Sequence, residues 1–189
     1  MVYIMRKRKR NNLPDFIKNS LKNLKPPEQL TVSEWAEKYR VLDSKSSAIP
    51  GKWNNQITPY LVEIMNEFTN VETEEIIFVK PTQVGGTEAL QNMVGYITMQ
   101  DPSPTMIVYP TDKLAESVSE NRIQPMMRIS PELKKRFKDN ESSMLELQFE
   151  GMYISLNGAN SPSSLSSKPC RFLFLDEVDK YPGSTKKEA

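Results

Sequence analysis

Three short, continuous apolar runs constrain this chain more than any other feature: Ile76-Ile77-Phe78-Val79, Met106-Ile107-Val108-Tyr109 and Phe172-Leu173-Phe174-Leu175. Runs of four apolar residues without polar alternation predict strands buried on both faces, as in a parallel sheet covered by helices. Helical stripes separate them. Leu61, Ile64, Met65 and Phe68 predict a helix over about 59–69 after Thr58-Pro59, and Ala89, Leu90, Met93, Val94 and Ile97 predict another after the first strand. Thr111-Asp112 caps a third, which Leu114, Val118 and Arg122 follow until Pro125 kinks or ends it; Ser130-Pro131-Glu132 restarts a helix through Phe137. Strand–helix alternation of this kind predicts an α/β fold with a largely parallel sheet.

Further punctuation fills in the order. Thr31-Val-Ser-Glu34 has capping-box spacing and predicts a helix over about 32–40. Ser44 to Lys52, with Pro50-Gly51, predicts a surface loop. Leu145, Leu147 and Phe149 alternate with polar residues, turn at Glu150-Gly151, and alternate again as Met152, Ile154 and Leu156, which predicts a β-hairpin. Residues 1–30 carry five consecutive cations, Arg6 to Arg10, and a break at Lys25-Pro26-Pro27, so they predict a basic tail and linker with one short helix around Phe16–Leu24. The cationic block suits nucleic-acid phosphates and a solvated tail equally.

Composition excludes whole chemistries. The chain has no histidine, which removes Ser-His-Asp, Cys-His and His-ligated zinc mechanisms together. Its one cysteine, Cys170, has no internal disulfide partner and reads as a small buried apolar residue. No apolar run approaches the ~20 residues of a membrane span, and no secretory signal opens the chain, so a cytoplasmic protein is expected.

Phosphate chemistry needs no histidine. Lys80-Pro81-Thr82-Gln83-Val84-Gly85-Gly86-Thr87 joins the first strand to a helix, where backbone N–H groups and the positive helix end meet an anion. Thr87 is placed to give a hydroxyl to magnesium. The usual phosphate loop has lysine directly before that hydroxyl residue and glycine five positions earlier; here Gly86 and Pro81 stand there, and Lys80 is the nearby cation for the β- and γ-phosphates. The strand Phe172–Leu175 delivers Asp176 and Glu177 to its C-terminal edge, the first acid suited to magnesium and the second to orienting and deprotonating water.

With these residues in order, the sequence resembles the phage terminase large subunits, in the branch related to the lambda-type GpA ATPase. The resemblance rests on Leu30-Thr-Val-Ser-Glu-Trp-Ala-Glu-Lys-Tyr-Arg40, Trp53 with Thr58-Pro-Tyr-Leu-Val-Glu-Ile-Met65, and Gln83-Val-Gly-Gly-Thr-Glu88. It continues through Gly158-Ala-Asn-Ser-Pro162, Leu165, Arg171 and Leu175-Asp-Glu-Val-Asp-Lys-Tyr-Pro182. It implies a phosphate-loop NTPase of the ASCE type, truncated after the strand that carries the acids. Its function would be that of the ATPase half of a motor that packages viral double-stranded DNA into a procapsid.

The resemblance further implies ATP and Mg²⁺ as cofactors, with Lys80 the displaced lysine, Thr87 and Asp176 the metal residues, and Glu177 the catalytic carboxylate. Thr82, Gln83, Val84, Gly85 and Gly86 would complete the loop. Trp53, Gln56 and Tyr60 lie where related motors contact adenine; Trp53 reads as core, and Tyr60 is carried as a nucleotide-site residue. Partners implied are double-stranded DNA, the terminase small subunit, the portal or procapsid, and further copies of the motor in a ring, in the host bacterial cytoplasm and with no membrane. The expected organisation is a tail over 1–30 and an incomplete ATPase domain over 31–189, with the nuclease domain absent. A sheet without later strands is expected to expose an edge. Two other functions share parts of the pattern: a non-catalytic remnant that keeps fold and partner or DNA binding, and a helicase-like ATPase.

Overall fold

The computed structural model describes residues 28–45, 47–166 and 168–183. The expected basic tail, the helix around 16–24 and the last six residues therefore lie outside the described residues. The chain opens with helix α1 (Val32–Tyr39), started by the capping box expected from sequence: the Glu34 N–H donates to Thr31 Oγ1 at 3.4 Å and the Thr31 N–H donates to Glu34 Oε2 at 2.8 Å. A two-stranded antiparallel ribbon follows, β1 (Val41–Leu42) with β2 (Gly51–Lys52), at the ends of the stretch read as a loop. Helix α2 (Tyr60–Glu67) begins without a side-chain cap from Thr58, whose hydroxyl is buried and has no partner among the described residues.

Helix α3 (Gly86–Gln100) is the spine of the molecule and feeds β3 (Thr105–Tyr109), the central strand. All five residues of β3 are buried, as a continuous apolar run predicts. After β3, helix α4 (Asp112–Val118) widens into a π turn (Ser119–Ile123) before α5 (Gln124–Ile129) and the single-turn α6 (Pro131–Lys134). The kink expected at Pro125 is thus taken up one turn earlier. Proline's ring crowds the carbonyl four residues back, and a wider turn moves that carbonyl aside.

The hairpin forms as β4 (Glu146–Phe149) and β5 (Met152–Gly158), and β5 runs on to pair parallel with β3. A short helix α7 (Pro162–Leu165) leads to β6 (Phe172–Leu175), parallel to β3 on its other side. The sheet order is β4-β5-β3-β6, mixed and mostly parallel, with helices packed against it, so the fold is α/β.

The expectation fails at two apolar runs. Ile76–Val79 forms no strand; Ile77 is 77% and Val79 91% exposed, and only Phe78 packs against the core. A strand exists only where a neighbouring strand offers its backbone, and no described segment pairs with this one. Nor is β6 buried on both faces. Phe172 and Phe174 point to the helical side and pack on Phe68 at centroid distances of 5.3 and 5.8 Å, while Leu173 and Leu175 on the opposite face stay half exposed. Among the described residues β3 is the sole strand neighbour of β6, which leaves one edge open. Cys170, expected inside, is exposed just before β6.

Two buried contacts set α3. The Trp35 ring, fully buried, packs so close to Gly95 that a Cβ there would fall 2.2 Å from it, and its Nε1–H donates to Met99 Sδ at 3.2 Å. Arg40, 3% exposed, donates through Nε to Asn92 Oδ1 at 3.2 Å and through Nη2 to Glu88 Oε2 and Gln91 Oε1, both at 3.0 Å. Burial pulls the Arg40 guanidinium below its usual pKa, but no arginine loses its proton in the accessible range, so the ion is held by these acceptors.

Trp35→Ala should therefore destabilise the chain by about 3–5 kcal/mol. Gly95→Ala should also destabilise it, although alanine is the better helix former by about 1 kcal/mol, because the trapped indole cannot move away. Denaturant midpoints of the two variants check both; a Gly95→Ala chain as stable as the parent would contradict the packing.

Candidate functional site

The site is built where the 80–87 loop, the start of α3 and the end of β6 converge. Proline at 81 lacks an N–H and the loop turns sharply at Gln83, whose φ is +62°, then at Gly85, whose φ is +76°. The positive φ is what calls for glycine at 85, and a Cβ there would also lie a tight 3.2 Å from Leu61 Cδ1. The chain enters α3 at Gly86, so the free N–H groups of the first helical turn face the loop. Thr82 and Gln83 are exposed at the turn, and Val84 is half buried with its carbonyl accepting from Tyr60 Oη at 3.1 Å. Tyr60 is thus a prop for the loop, 53% exposed at the start of α2.

Gly86 stands where a phosphate loop usually carries its lysine, and the side chain that fills its place is Lys80. A Cβ on Gly86 would fall 2.2 Å from Lys80 Cδ, 2.4 Å from Cε and 3.3 Å from Nζ. The ammonium reaches the helix N-terminus from the beginning of the loop instead of from its end. Sequence spacing alone left Lys80 as the nearby cation; the structure adds that its stem lies over the bare backbone of residue 86, in the space a side chain there would occupy.

The next residue, Thr87, donates its hydroxyl to Asp176 Oδ2 at 3.2 Å, across 89 positions of sequence. Asp176 is 7% exposed, fixed by its own N–H donating to Val108 O at 3.0 Å and by its Oδ1 accepting from the Glu177 N–H at 3.0 Å. A hydroxyl and a carboxylate held together are the hard oxygen donors that magnesium takes, so these residues fit the ion expected there. Glu177 has φ +54° and pairs with Lys180 Nζ at 2.9 Å, on the short 3₁₀ turn Val178–Lys180. Among the described residues Gln83 and Glu177 alone combine a side chain with positive φ, and both border this convergence.

Beside the loop, Leu42, Ala48, Ile49, Trp53, Asn54, Ile57, Thr58, Gly85 and Glu88 are among the residues that line a cleft of about 190 Å³. Trp53 is buried, its Nε1–H donating to Asn55 Oδ1 at 2.7 Å, and forms part of the cleft wall; Gln56 is exposed and outside the lining. The Gly158–Ser161 stretch is engaged elsewhere. Asp112 accepts from the Gly158 N–H at 2.8 Å and from the Ser161 hydroxyl, and its N–H donates to Asn160 Oδ1 at 3.1 Å, so this loop is a clamp on the start of α4.

Sequence reasoning passed over several residues at the convergence. Glu88 and its partner Arg40 carry no local pattern that announces a buried ion pair. Tyr109 ends β3 with a buried hydroxyl that has no partner among the described residues, and burial first, then the Asp176 charge, raises its pKa. Tyr181 donates to Val108 O at 2.8 Å and is pushed up to about 12 by burial and by Asp176.

Gly86→Ala should displace Lys80 from the helix start while keeping α3 intact, since φ at 86 suits alanine. The expected outcome is an unchanged helical content by circular dichroism and a loss of anion or nucleotide affinity of at least tenfold. The tyrosines make a separate prediction. Unfolded tyrosine titrates near pH 10 and these two hold their protons more tightly when folded, so stability is fully present below pH ~10 and is lost as the pH rises through about 12. Thermal midpoints across pH 9–12 check the sign; Tyr109→Phe, which removes an unpaired buried hydroxyl, should flatten the fall with little change at neutral pH.

The sequence matches the family model described as the phage terminase large subunit gpA, ATPase domain, over residues 47–189. Two curated relatives are the terminase large subunits of Enterobacteria phage P21, 25% identical over 94% of this chain, and of Escherichia phage lambda, 29% identical over 71%. The chain spans 28% and 22% of the length of these two proteins. Among solved structures, the large terminase ATPase domain of Thermus phage P74-26 is similar over 53% of this chain and 47% of its own, with 19% identity and a TM-score of 0.43. With three quarters of its length matched by one family model, the chain belongs to the phage terminase large subunit gpA family, in its ATPase domain.

Proposed function

We propose that this chain binds magnesium-ATP at the convergence of the 80–87 loop, α3 and β6, and serves as the ATPase portion of a motor that drives viral double-stranded DNA into a procapsid. The observation that carries the reading is the Lys80 stem lying over Gly86 beside the Thr87–Asp176 contact. One cation, one hydroxyl, one carboxylate and the N-terminus of a fifteen-residue helix meet there, which is the set that phosphoryl transfer requires.

In this reading Lys80 and the N–H groups from Val84 to Thr87 hold the β- and γ-phosphates, with Thr82 and Gln83 shaping the turn. Thr87 and Asp176 hold the magnesium ion, which when bound draws charge from the phosphate oxygens. Glu177 orients the attacking water and takes its proton at a carboxylate oxygen. Its carboxylate pairs with Lys180, and its backbone takes a left-handed conformation just past β6. The cleft lined by Trp53, Asn54 and Thr58 suits a flat base, with apolar walls and an unpartnered Thr58 hydroxyl, and Tyr60 steadies the loop at its rim.

By family likeness the partners would be double-stranded DNA, a small terminase subunit, the portal of the procapsid and further copies of the chain, in the host cytoplasm. Among the described residues no helix is long and apolar enough to cross a membrane. One observation favours a second reading. The run Ile76–Val79, exposed apart from Phe78 and without a strand partner among the described residues, leads directly into Lys80, so this side of the loop lacks sheet support, and a chain in this form would bind nucleotide without turning it over.

Calorimetry with a non-hydrolysable ATP analogue and magnesium tests the site. Saturable binding lost on Lys80→Ala and kept on Glu177→Gln is the expected result; binding indifferent to Lys80→Ala and Asp176→Ala alike would overturn the assignment. Steady hydrolysis by the parent chain, stimulated by DNA and abolished by Glu177→Gln, would exclude the binding-only reading.

A further inference from the structure

Past Asp176 the chain leaves the sheet and comes back to it. The Asp176 N–H donates to Val108 O at 3.0 Å, and the Tyr181 hydroxyl donates to the same carbonyl at 2.8 Å, so both ends of the segment 176–181 are pinned to one atom of β3. A carbonyl oxygen has two lone pairs and serves both donors. Between the pins stands the 3₁₀ turn Val178–Lys180, whose three residues are all exposed, as are Pro182 and Gly183. Among the described residues beyond Glu177, the half-buried Tyr181 is thus the side chain that ties this turn to the sheet.

The path between the pins is strained at one residue. A chain that leaves an extended strand and returns to the same carbonyl over so short a segment has to reverse sharply, and the reversal is taken at Glu177, with φ +54° and ψ +42°. A residue with a side chain stays in that region only where its surroundings over-determine it. Three of the bonds around Glu177 are local. Its N–H donates to Asp176 Oδ1 at 3.0 Å, the Lys180 N–H to Glu177 O at 2.9 Å and the Tyr181 N–H to Val178 O at 3.1 Å. They close the turn on itself and leave its placement against β3 open. The Tyr181 hydroxyl supplies that placement, from the far end of the turn.

We infer that Tyr181 is a positioning residue for Glu177: its hydrogen bond to the Val108 carbonyl is the clasp that keeps the left-handed turn closed and so sets where the water-activating carboxylate stands. The inference rests on the nucleotide reading above. Among the described residues Tyr181 makes no hydrogen bond to Lys80, Thr87 or Asp176, and Asp176 is held separately by the strand ladder and by Thr87. Opening the clasp therefore acts on Glu177 and spares the groups assigned to phosphate and magnesium.

The test has two arms, both on the whole chain. Thermal unfolding compares Glu177→Gly with Glu177→Ala, each alone and combined with Tyr181→Phe. Both substitutions remove the carboxylate and its pair with Lys180, so they differ in backbone freedom. Glycine, free of the left-handed penalty, should melt roughly 2–4 °C above alanine, and less than half of that gap should survive once Tyr181→Phe opens the clasp. The second arm sets steady-state hydrolysis beside calorimetry with a β,γ-imido ATP analogue and magnesium. Tyr181→Phe should lower kcat about tenfold, keep KM and analogue affinity within about twofold, and lower hydrolysis no further in a Glu177→Gln background. A melting gap that survives whole would overturn the clasp. No turnover by the parent, an unchanged kcat, or a loss that adds to that of Glu177→Gln would overturn the positioning role. A folded parent that binds no analogue, with the gap collapsing as expected, would overturn the nucleotide reading and leave the clasp standing.

Discussion

A buried arginine holds this molecule in register. Arg40 ends α1 and is cut off from water, so its charge must be met by acceptors or the fold carries an uncompensated ion. Three of those acceptors, Glu88, Gln91 and Asn92, lie on the first turns of α3, and the fourth is the carbonyl of Val41 at 3.1 Å. The rotation and height of α3 are therefore fixed from its N-terminal end, where the phosphate-type loop arrives. The Trp35–Gly95 contact fixes the same helix further along. Glu88 adjoins Thr87, so the ion pair that anchors the helix also anchors the hydroxyl facing Asp176.

Strain and close approach are concentrated around that anchor. Gln83 and Glu177 occupy a left-handed backbone conformation that costs a residue with a side chain of order 1 kcal/mol or more, and each stands on one side of the convergence. Gly86 carries no side chain, and Lys80 lies across it. The proposed anion site would use each of these features: exposed N–H groups, a cation at the helix end and a carboxylate just past the end of a strand.

Much of the framework was legible in the residues. The capping box at Thr31, the strand Thr105–Tyr109, the hairpin and the helix after the glycine pair formed where local pattern placed them, because each depends on interactions within a few residues or on a buried central position. The candidate site was legible as a list, Lys80 and Thr87 on one segment and Asp176 and Glu177 on another. What failed was burial at the edge. Ile76–Val79 and Phe172–Leu175 have the same composition as β3, but an apolar run states only what a segment tolerates, and whether a neighbour exists to pair with it is settled by the rest of the sheet. Cys170 came out exposed because it leads into that same open edge.

The sequence by itself determined the fold class, the order of most elements and the chemical types brought to the site, since hydrophobic period, capping and turn residues act locally and survive without tertiary knowledge. Only the tertiary structure decided that Lys80 covers Gly86 and that Glu88 pairs with both Arg40 and Arg122, the latter from the π turn. These are contacts between residues six to forty-eight positions apart, fixed by packing and desolvation, and no periodicity along the chain encodes them.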